Sequence, residues 1–359
     1  MFEKIKVLIV DDSGLIREIL KKMLETDPLI QVVGMAENGE RAIELVQKLK
    51  PDVVTMDINM PVMDGFRATE HIMAYCPTPI LILSFILDKE GIYTTFNALA
   101  AGAVDVMEKP SGLESKVWNK LGDVLVQKVK LVSKVKVVTH VKGRVRELFK
   151  HAEPVSSSPQ APSTNKYEII GIGASTGGPS VVMQILKNIP SDYDLGILVV
   201  QHMSEGFIDG FRNWLGNACK VKVKLAQEGE KIKKGQVLIA PDGFHTIVRN
   251  RKSVGLISGN QVHGVKPSVD ILFNSIADVY GESAVGILLT GMGVDGAVGL
   301  KHIKDKGGIT IAQSENSCAV FGMPKAAIEK GAVSKVLSIE DIIRALKGIV
   351  NNNSQQGKP

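Results

Sequence analysis

Cysteine is scarce. The 359 residues hold three, Cys76, Cys219 and Cys318, far apart and in no C-x-x-C pair. That excludes a disulfide framework and a cysteine zinc site, and suits a reducing compartment. No apolar run approaches the length that spans a bilayer, and the opening MFEKIKVLIVDD lacks the pattern of a signal peptide. The expectation is a cytoplasmic chain that is not membrane-embedded. H-E-x-x-H is absent and histidines and cysteines do not cluster, so no catalytic metal is expected in the second half of the chain. A helix-turn-helix with a basic recognition helix is also missing, which argues against a nucleic-acid partner. The net charge of +5 does not reopen that question, because the basicity is local. Ten Lys/Arg face three acids between Leu113 and Lys150, leaving the remainder slightly acidic.

What is present is ordinary for a soluble globular protein: 44% hydrophobic and 23% charged residues. The length suffices for two or three domains. Short apolar runs at Ile5–Val10, Val32–Ala36, Val53–Met56, Ile80–Leu83 and Val104–Met107 alternate with helical patterns. A closing helix is expected with Leu113, Val117, Leu121 and Val124 on one face. Five βα repeats predict a parallel, doubly wound sheet with its site beyond the strand C-terminal ends. Asp11, Asp12, Asp57, Ser84 and Lys109 all fall at those ends. Three convergent carboxylates repel one another unless a cation neutralises them, and oxygen ligands beside a phosphoryl group suit Mg²⁺. One aspartate is then free to accept a phosphoryl group, whose oxygens a lysine and a hydroxyl hold.

This constellation, with MDINMPVMDG around the acceptor, resembles a two-component receiver domain. The resemblance implies phosphorylation of Asp57 by a histidine kinase. It implies Mg²⁺ on Asp11, Asp12, Asp57 and the Asn59 carbonyl, phosphoryl contacts from Ser84 and Lys109, and a cis Lys109-Pro110 bond. One departure stands out: Val106 occupies the place of the usual Tyr or Phe three residues before the lysine. That affects the expected route of signal transmission, not the phosphorylation chemistry.

The domain boundaries are expected at 1–130 for this domain and 131–165 for a linker, basic and then rich in Ser and Pro. A second domain over 166–348 and a polar tail over 349–359 complete the division. The second domain repeats strand-like runs at Ile169–Ile172, Gly196–Val200, Val237–Ala240, Val285–Leu289 and Thr310–Ala312, again reading as a mostly parallel α/β sheet.

The first of these strands runs into Gly171-Ile172-Gly173-Ala174-Ser175-Thr176-Gly177-Gly178-Pro179, a strand-to-helix turn. Three readings compete for it. It is a phosphate loop, although Thr176 stands where G-x-G-x-x-G needs its third glycine; or a structural glycine turn; or the seat of a nucleophilic serine. A serine nucleophile needs a base, and histidine's ordinary pKa near 6.5 suits it. A buried aspartate would fix the histidine's tautomer. His202 follows the second strand, and Asp295 lies in the glycine-rich loop after the strand at 285–289. His245 competes for the base. Asp270 is a weaker candidate for the acid and is expected to cap its own helix or touch substrate.

GIGASTGGP, VQHM, KPSVDILF, ILLTGMGVDG and AVFGMPKAA are similar to the C-terminal domain of the CheB family, the chemotaxis protein-glutamate methylesterases that also deamidate glutamine. The resemblance covers residues 167–345. It implies an N-terminal (βα)5 receiver domain plus a C-terminal doubly wound, mostly parallel α/β catalytic domain. It implies Ser175 as nucleophile, His202 as base and acid, and Asp295 as orienting acid, with Thr176 and the Met292 backbone N–H as oxyanion contacts. The implied substrates are methylated glutamates on chemoreceptor cytoplasmic helices, with the unphosphorylated receiver covering the catalytic cleft. The alternatives are a receiver joined to a non-catalytic binding module and a receiver-controlled nucleotide-binding protein.

Overall fold

The structure, a computed structural model, describes residues 3–85, 89–109, 115–137 and 167–354. Two compact units divide the chain, Met1–Gln160 and Ala161–Pro359. The expected cis Lys109-Pro110 bond and most of the basic linker lie outside the described residues.

The first unit runs β1 (Ile5–Val10), α1 (Gly14–Leu24), β2 (Ile30–Ala36), α2 (Gly39–Leu49), β3 (Val53–Asp57), α3 (Gly65–Tyr75), β4 (Ile80–Ser84), α4 (Lys89–Ala100), β5 (Asp105–Glu108) and α5 (Ser115–Val132). Its five strands pair in parallel in the order β2-β1-β3-β4-β5. β3 and β4 are buried throughout, as continuous apolar strands covered on both faces must be. Three helices begin on side-chain caps: Ser13, Asn38 and Asp64 accept from the main-chain N–H groups of Ile16, Arg41 and Arg67. Chain winding reverses between β1 and β3, and there Asp11 and Asp57 leave adjacent strands.

Gly65 opens α3 directly over the end of β3. Its N–H donates to Ile58 O, and a Cβ would overlap the Asp57 carbonyl oxygen. Main chain cannot give way as a side-chain tip can. Gly65→Ala is therefore expected to destabilise this unit by about 1–3 kcal/mol. Urea unfolding would check this, and an unchanged midpoint would refute it.

The apolar face of α5 differs from the expected one. Val124 is 39% exposed, whereas Leu125, Val129 and Val132 are buried, and Leu113 falls outside the described residues. The helix is turned so that its following positions face the sheet, and Lys128 and Lys130 reach Asp105 and Asp27.

The second unit runs β6 (Ile169–Ala174), α6 (Gly178–Lys187), β7 (Gly196–Gln201), α7 (Ile208–Ala218), β8 (Lys222–Leu225), β9 (Gln236–Ile239), β10 (His245–Asn250) and β11 (Ser253–Ile257). It continues through α8 (Val269–Tyr280), β12 (Ala284–Leu288), α9 (Ala297–Asp305), β13 (Ile309–Gln313), α10 (Met323–Glu329), β14 (Lys335–Leu337) and α11 (Ile339–Ser354). Seven strands pair in parallel in the order β14-β13-β12-β6-β7-β9-β8, and β10 and β11 form a separate antiparallel hairpin. His245 follows β9 and itself opens β10. The chain is helical to Ser354, well into the segment expected as a polar tail.

β6 is the switch point, with β7 on one side and β12 on the other. Its glycines let α8 approach closely. A Cβ on Gly173 would strike the Val269 side chain, and one on Gly171 would stand 2.7 Å from Ile276 Cδ1. The approach buries Val269, Leu272, Phe273 and Ile276 completely against the sheet. Each such side chain contributes about 1.5–3 kcal/mol. It also delivers the N-terminus of α8 to the end of β6.

Candidate active site

In the first unit the oxygens of Asp11, Asp12 and Asp57 lie within 4.8 Å of one another. Lys109, itself buried, bridges two of them, at 2.7 Å from Asp11 Oδ2 and 2.8 Å from Asp57 Oδ1. Asp57 Oδ1 also accepts from Ile58 N at 2.7 Å. Burial pushes the Asp57 carboxyl above its usual range, and the opposing pull of Lys109 only partly offsets it. Ser84 is buried at the end of β4, and its hydroxyl accepts from Thr95 Oγ1 at 3.2 Å. Asn59 sits two residues past Asp57 in the exposed loop. Three hard-oxygen carboxylates with one buried ammonium fit a divalent cation of the Mg²⁺ kind.

In the second unit, β6 and β7 pair with Ala174 opposite Gln201, and His202 N donates to Ala174 O at 2.9 Å. Continuing that register by one residue sets Ser175 beside His202. On the other flank β12 leads into the loop bearing Asp295. His202 Nε2 lies 3.0 Å from Asp295 Oδ2, with the two side chains 10% and 4% exposed.

The Asp295 carboxylate is held at the N-terminus of α8. Oδ1 accepts from Ser268 Oγ at 2.7 Å and Asp270 N at 3.2 Å, and Oδ2 from Val269 N at 2.7 Å as well as meeting His202. Burial alone would raise this carboxyl. The His202 contact, the Ser268 hydroxyl and the Val269 N–H outweigh burial and hold it below the usual carboxylate range. The helix N-terminus adds positive potential at the same place.

The competitors separate cleanly. Both ring nitrogens of His245 meet the main chain: Nε2 is 2.9 Å from Asn260 O, and Nδ1 accepts from Ser268 N at 3.1 Å. This histidine braces the α8 cap. Asp270 does not cap its own helix, since Ser268 does that. Its Oδ1 accepts from Gly299 N at 2.7 Å, tying α8 to α9, and its Oδ2 lies 3.1 Å from His263 Nε2. Atoms of His263, Asp270 and Asp295 cluster closely enough for a metal ion. Yet each Asp295 oxygen already has two partners, which explains the cluster without one. Cys318 is no rival nucleophile, because burial first and Glu315 second push its thiol up to about 12.

Gly291 packs on the serine, where a Cβ would stand 2.6 Å from Ser175 Cβ and 3.1 Å from Ser175 N. Met292, the next residue, is 42% exposed, whereas Thr176 is buried. Neither Thr176 nor Met292 donates its main-chain N–H to another described residue. Three residues went unassigned on sequence: Gln201, Ser268 and Thr290. The Thr290 hydroxyl donates to Thr176 O at 3.0 Å, and the Thr290 carbonyl accepts from Ser175 N at 3.0 Å. The strand-end position of Gln201 and a serine directly before the apolar run of α8 were the sequence signals for the first two.

Fold and site together define a response regulator, a receiver domain joined to an α/β output domain with a serine, a histidine and an aspartate at its switch point. The family described as CheB methylesterase matches residues 170–346, and the response regulator receiver domain matches residues 7–117. The chain is 46% identical to protein-glutamate methylesterase/protein-glutamine glutaminase 1 of Syntrophus aciditrophicus, over 95% of this chain and 97% of that one. It is 43% identical to the protein-glutamate methylesterase/protein-glutamine glutaminase of Methanococcus maripaludis, over 94% and 96%. The crystal structure of the Thermotoga maritima CheB methylesterase catalytic domain superimposes with TM-score 0.50 at 37% identity, covering 51% of this chain and 98% of that one. The chain belongs to the CheB family of chemotaxis methylesterases.

Proposed function

We propose that this chain is a phosphorylation-regulated protein-glutamate methylesterase that also deamidates glutamine, acting on chemoreceptor cytoplasmic helices. The observation that carries the mechanism is the His202–Asp295 contact on a carboxylate with every lone pair engaged, one strand away from Ser175. With Nε2–H directed at Asp295, Nδ1 is the nitrogen left to act on Ser175. Ser175 Oγ attacks the γ-carbonyl carbon of a glutamyl methyl ester, and Nδ1 takes the hydroxyl proton. The carbonyl oxygen becomes an oxyanion that the Thr176 and Met292 N–H groups stabilise. As the C–O bond to the methoxy group breaks, Nδ1–H protonates the leaving oxygen and methanol departs. Water, deprotonated by Nδ1, then attacks the acyl carbon; the bond to Ser175 Oγ breaks, Nδ1–H returns the proton to Oγ, and glutamate is released. A glutamine substrate follows the same course with ammonia as leaving group.

The receiver supplies control. Asp57 is the phosphoryl acceptor, because Lys109 and Ile58 N engage Oδ1 and leave Oδ2 to react. Asp11, Asp12, Asp57 and the Asn59 carbonyl would hold Mg²⁺, which supplies charge neutralisation for the incoming phosphoryl group. Lys109 and Ser84 would hold phosphoryl oxygens. The donor is a chemotaxis histidine kinase, and the site of action is the cytoplasm. Among the described residues no helix is long and apolar enough to cross a membrane.

The test is methanol release from methylated receptor membranes with and without a small-molecule phosphodonor and Mg²⁺. The unmodified chain is expected to release methanol and to respond to the phosphodonor by about tenfold, which needs only about 1.4 kcal/mol of differential stabilisation. Asp57→Ala is expected to release methanol at one rate under both conditions. Stimulation that survives the substitution would place the switch elsewhere.

A further inference from the structure

Gln201 ends β7 with its side chain fully enclosed, at 1% exposure. Its Nε2 donates twice, to Ser175 O at 2.8 Å and to His202 O at 2.8 Å. One carboxamide thus grips the main chain of both residues assigned to proton transfer. The Ser175 carbonyl also accepts from Gly178 N at 2.8 Å, so both of its lone pairs are occupied. Gln201 Oε1 accepts no hydrogen bond, and it lies against Gly178, where a Cβ would collide with it and stand 2.8 Å from Ala174 Cβ. Leaving a buried acceptor without a partner costs about 1–3 kcal/mol. The orphaned Oε1 is accepted in exchange for a carboxamide that holds the carbonyls of both Ser175 and His202.

The geometry of the peptide unit supplies a reason. In a planar trans peptide the C=O and the following N–H point in opposite directions. Drawing the Ser175 carbonyl back toward Gln201 therefore turns the Thr176 N–H the other way. Thr290 does the same to the next peptide by donating to the Thr176 carbonyl from the far side of the turn.

We propose that Gln201 is a positioning residue for the hydrolytic reaction: its carboxamide fixes the Ser175–Thr176 peptide so that the Thr176 N–H faces the developing oxyanion, and locks the main chain of His202 in step with it. The inference rests on the reading of Ser175 as nucleophile. Gln201 touches no substrate, so its contribution falls on the transition state rather than on substrate binding.

The experiment measures initial rates of methanol release over a range of methylated receptor concentrations for the full chain, Gln201→Met, Gln201→Glu and Ser175→Ala. Circular dichroism and thermal melting accompany each. Gln201→Met keeps the length and removes both donors. It is expected to lower kcat by about tenfold to a hundredfold with KM unchanged, less than the roughly 10²–10³-fold cost of removing an oxyanion donor outright. Gln201→Glu, kept protonated by burial between two carbonyls, retains one O–H donor and is expected to lower kcat less than Gln201→Met. A folded Gln201→Met with kcat within twofold of the unmodified chain would overturn the proposal, as would a rise in KM at constant kcat. If Gln201→Met does not fold, Gln201→Glu carries the same comparison. If neither folds, Gln201 serves the fold and not the rate, and the proposal fails. Ser175→Ala separates the two levels of inference. If Ser175→Ala still turns over, the underlying reading of the site is wrong. If it is inactive while Gln201→Met is unimpaired, only the role given to Gln201 is wrong.

Discussion

Replacing Ser175 with alanine is expected to lower methanol release by about 10⁴-fold or more, the scale on which loss of a serine nucleophile is felt in comparable sites. The expectation follows from where the residue sits. Ser175 is half-buried at the end of β6, flanked by the strands that deliver His202 and Asp295. Its main chain is held by Thr290 O, Gly178 N and Gln201 Nε2, none of which involves the hydroxyl. Removing Oγ therefore leaves the turn as it is. The loss should appear as activity alone, with the melting temperature within a degree or two. Methanol release from receptor membranes measures the first, and a thermal scan the second. A variant that retains a tenth of the rate would assign the nucleophile to another group. A variant that loses activity by unfolding would contradict the account of how the turn is held.

Asp295→Asn is expected to cost about 10⁴-fold in kcat, for a different reason. The carboxylate receives Ser268 Oγ and Asp270 N on one oxygen, and Val269 N and His202 Nε2 on the other. An asparagine must place its NH₂ at one of these ends, and each end faces a main-chain N–H that can only donate. With the NH₂ turned to His202, Nε2 must accept. The proton then moves to Nδ1, where the base is needed. Stability responds to pH with a definite sign. Asp295 has a folded pKa below its unfolded value. Its ionised form therefore stabilises the unit fully above the unfolded pKa, near 3.9, and this contribution is lost as pH falls through the lowered folded pKa. The gap in urea stability between the parent chain and Asp295→Asn should accordingly be largest at neutral pH and shrink toward pH 3. A gap that is constant across this range, or a rate loss under tenfold, would remove Asp295 from the role given to it.

Val106 bears on the receiver in a quieter way. It is buried on β5 and donates its N–H to Asp105 Oδ1 at 2.9 Å. A small aliphatic there has no aromatic ring to swing between inside and outside.

Which parts of the molecule were legible in the chain depended on how much of each element is buried. β1, β3, β4, β6, β7 and β12 lie inside their sheets and read as continuous apolar runs. β8 and β14 are edge strands, and Lys222–Leu225 and Lys335–Leu337, four and three residues long, are too short to show an apolar run. The hairpin of β10 and β11 was missed for a related reason, since His245–Asn250 ends in polar residues that face outward. Helix phase was harder than helix existence: after Leu121 in α5 either Val124 or Leu125 could continue the apolar face, and packing picks Leu125, followed by Val129 and Val132.

By itself the sequence determined two α/β domains, the convergence of Asp11, Asp12, Asp57, Ser84 and Lys109 at strand ends, and the short set of candidates containing Ser175, His202 and Asp295. These follow from local pattern, because a strand end is marked where an apolar run stops. Tertiary structure set His202 beside Asp295 and His245 on the α8 cap, gave Asp270 to His263 and Gly299, and brought Gln201 behind the serine. Those outcomes depend on strand order. Only when β6 lies between β12 and β7, with α8 pressed close by Gly171 and Gly173, do Gln201 and Ser175, His202 and Asp295, and Ser175 and Thr290 come within hydrogen-bonding reach.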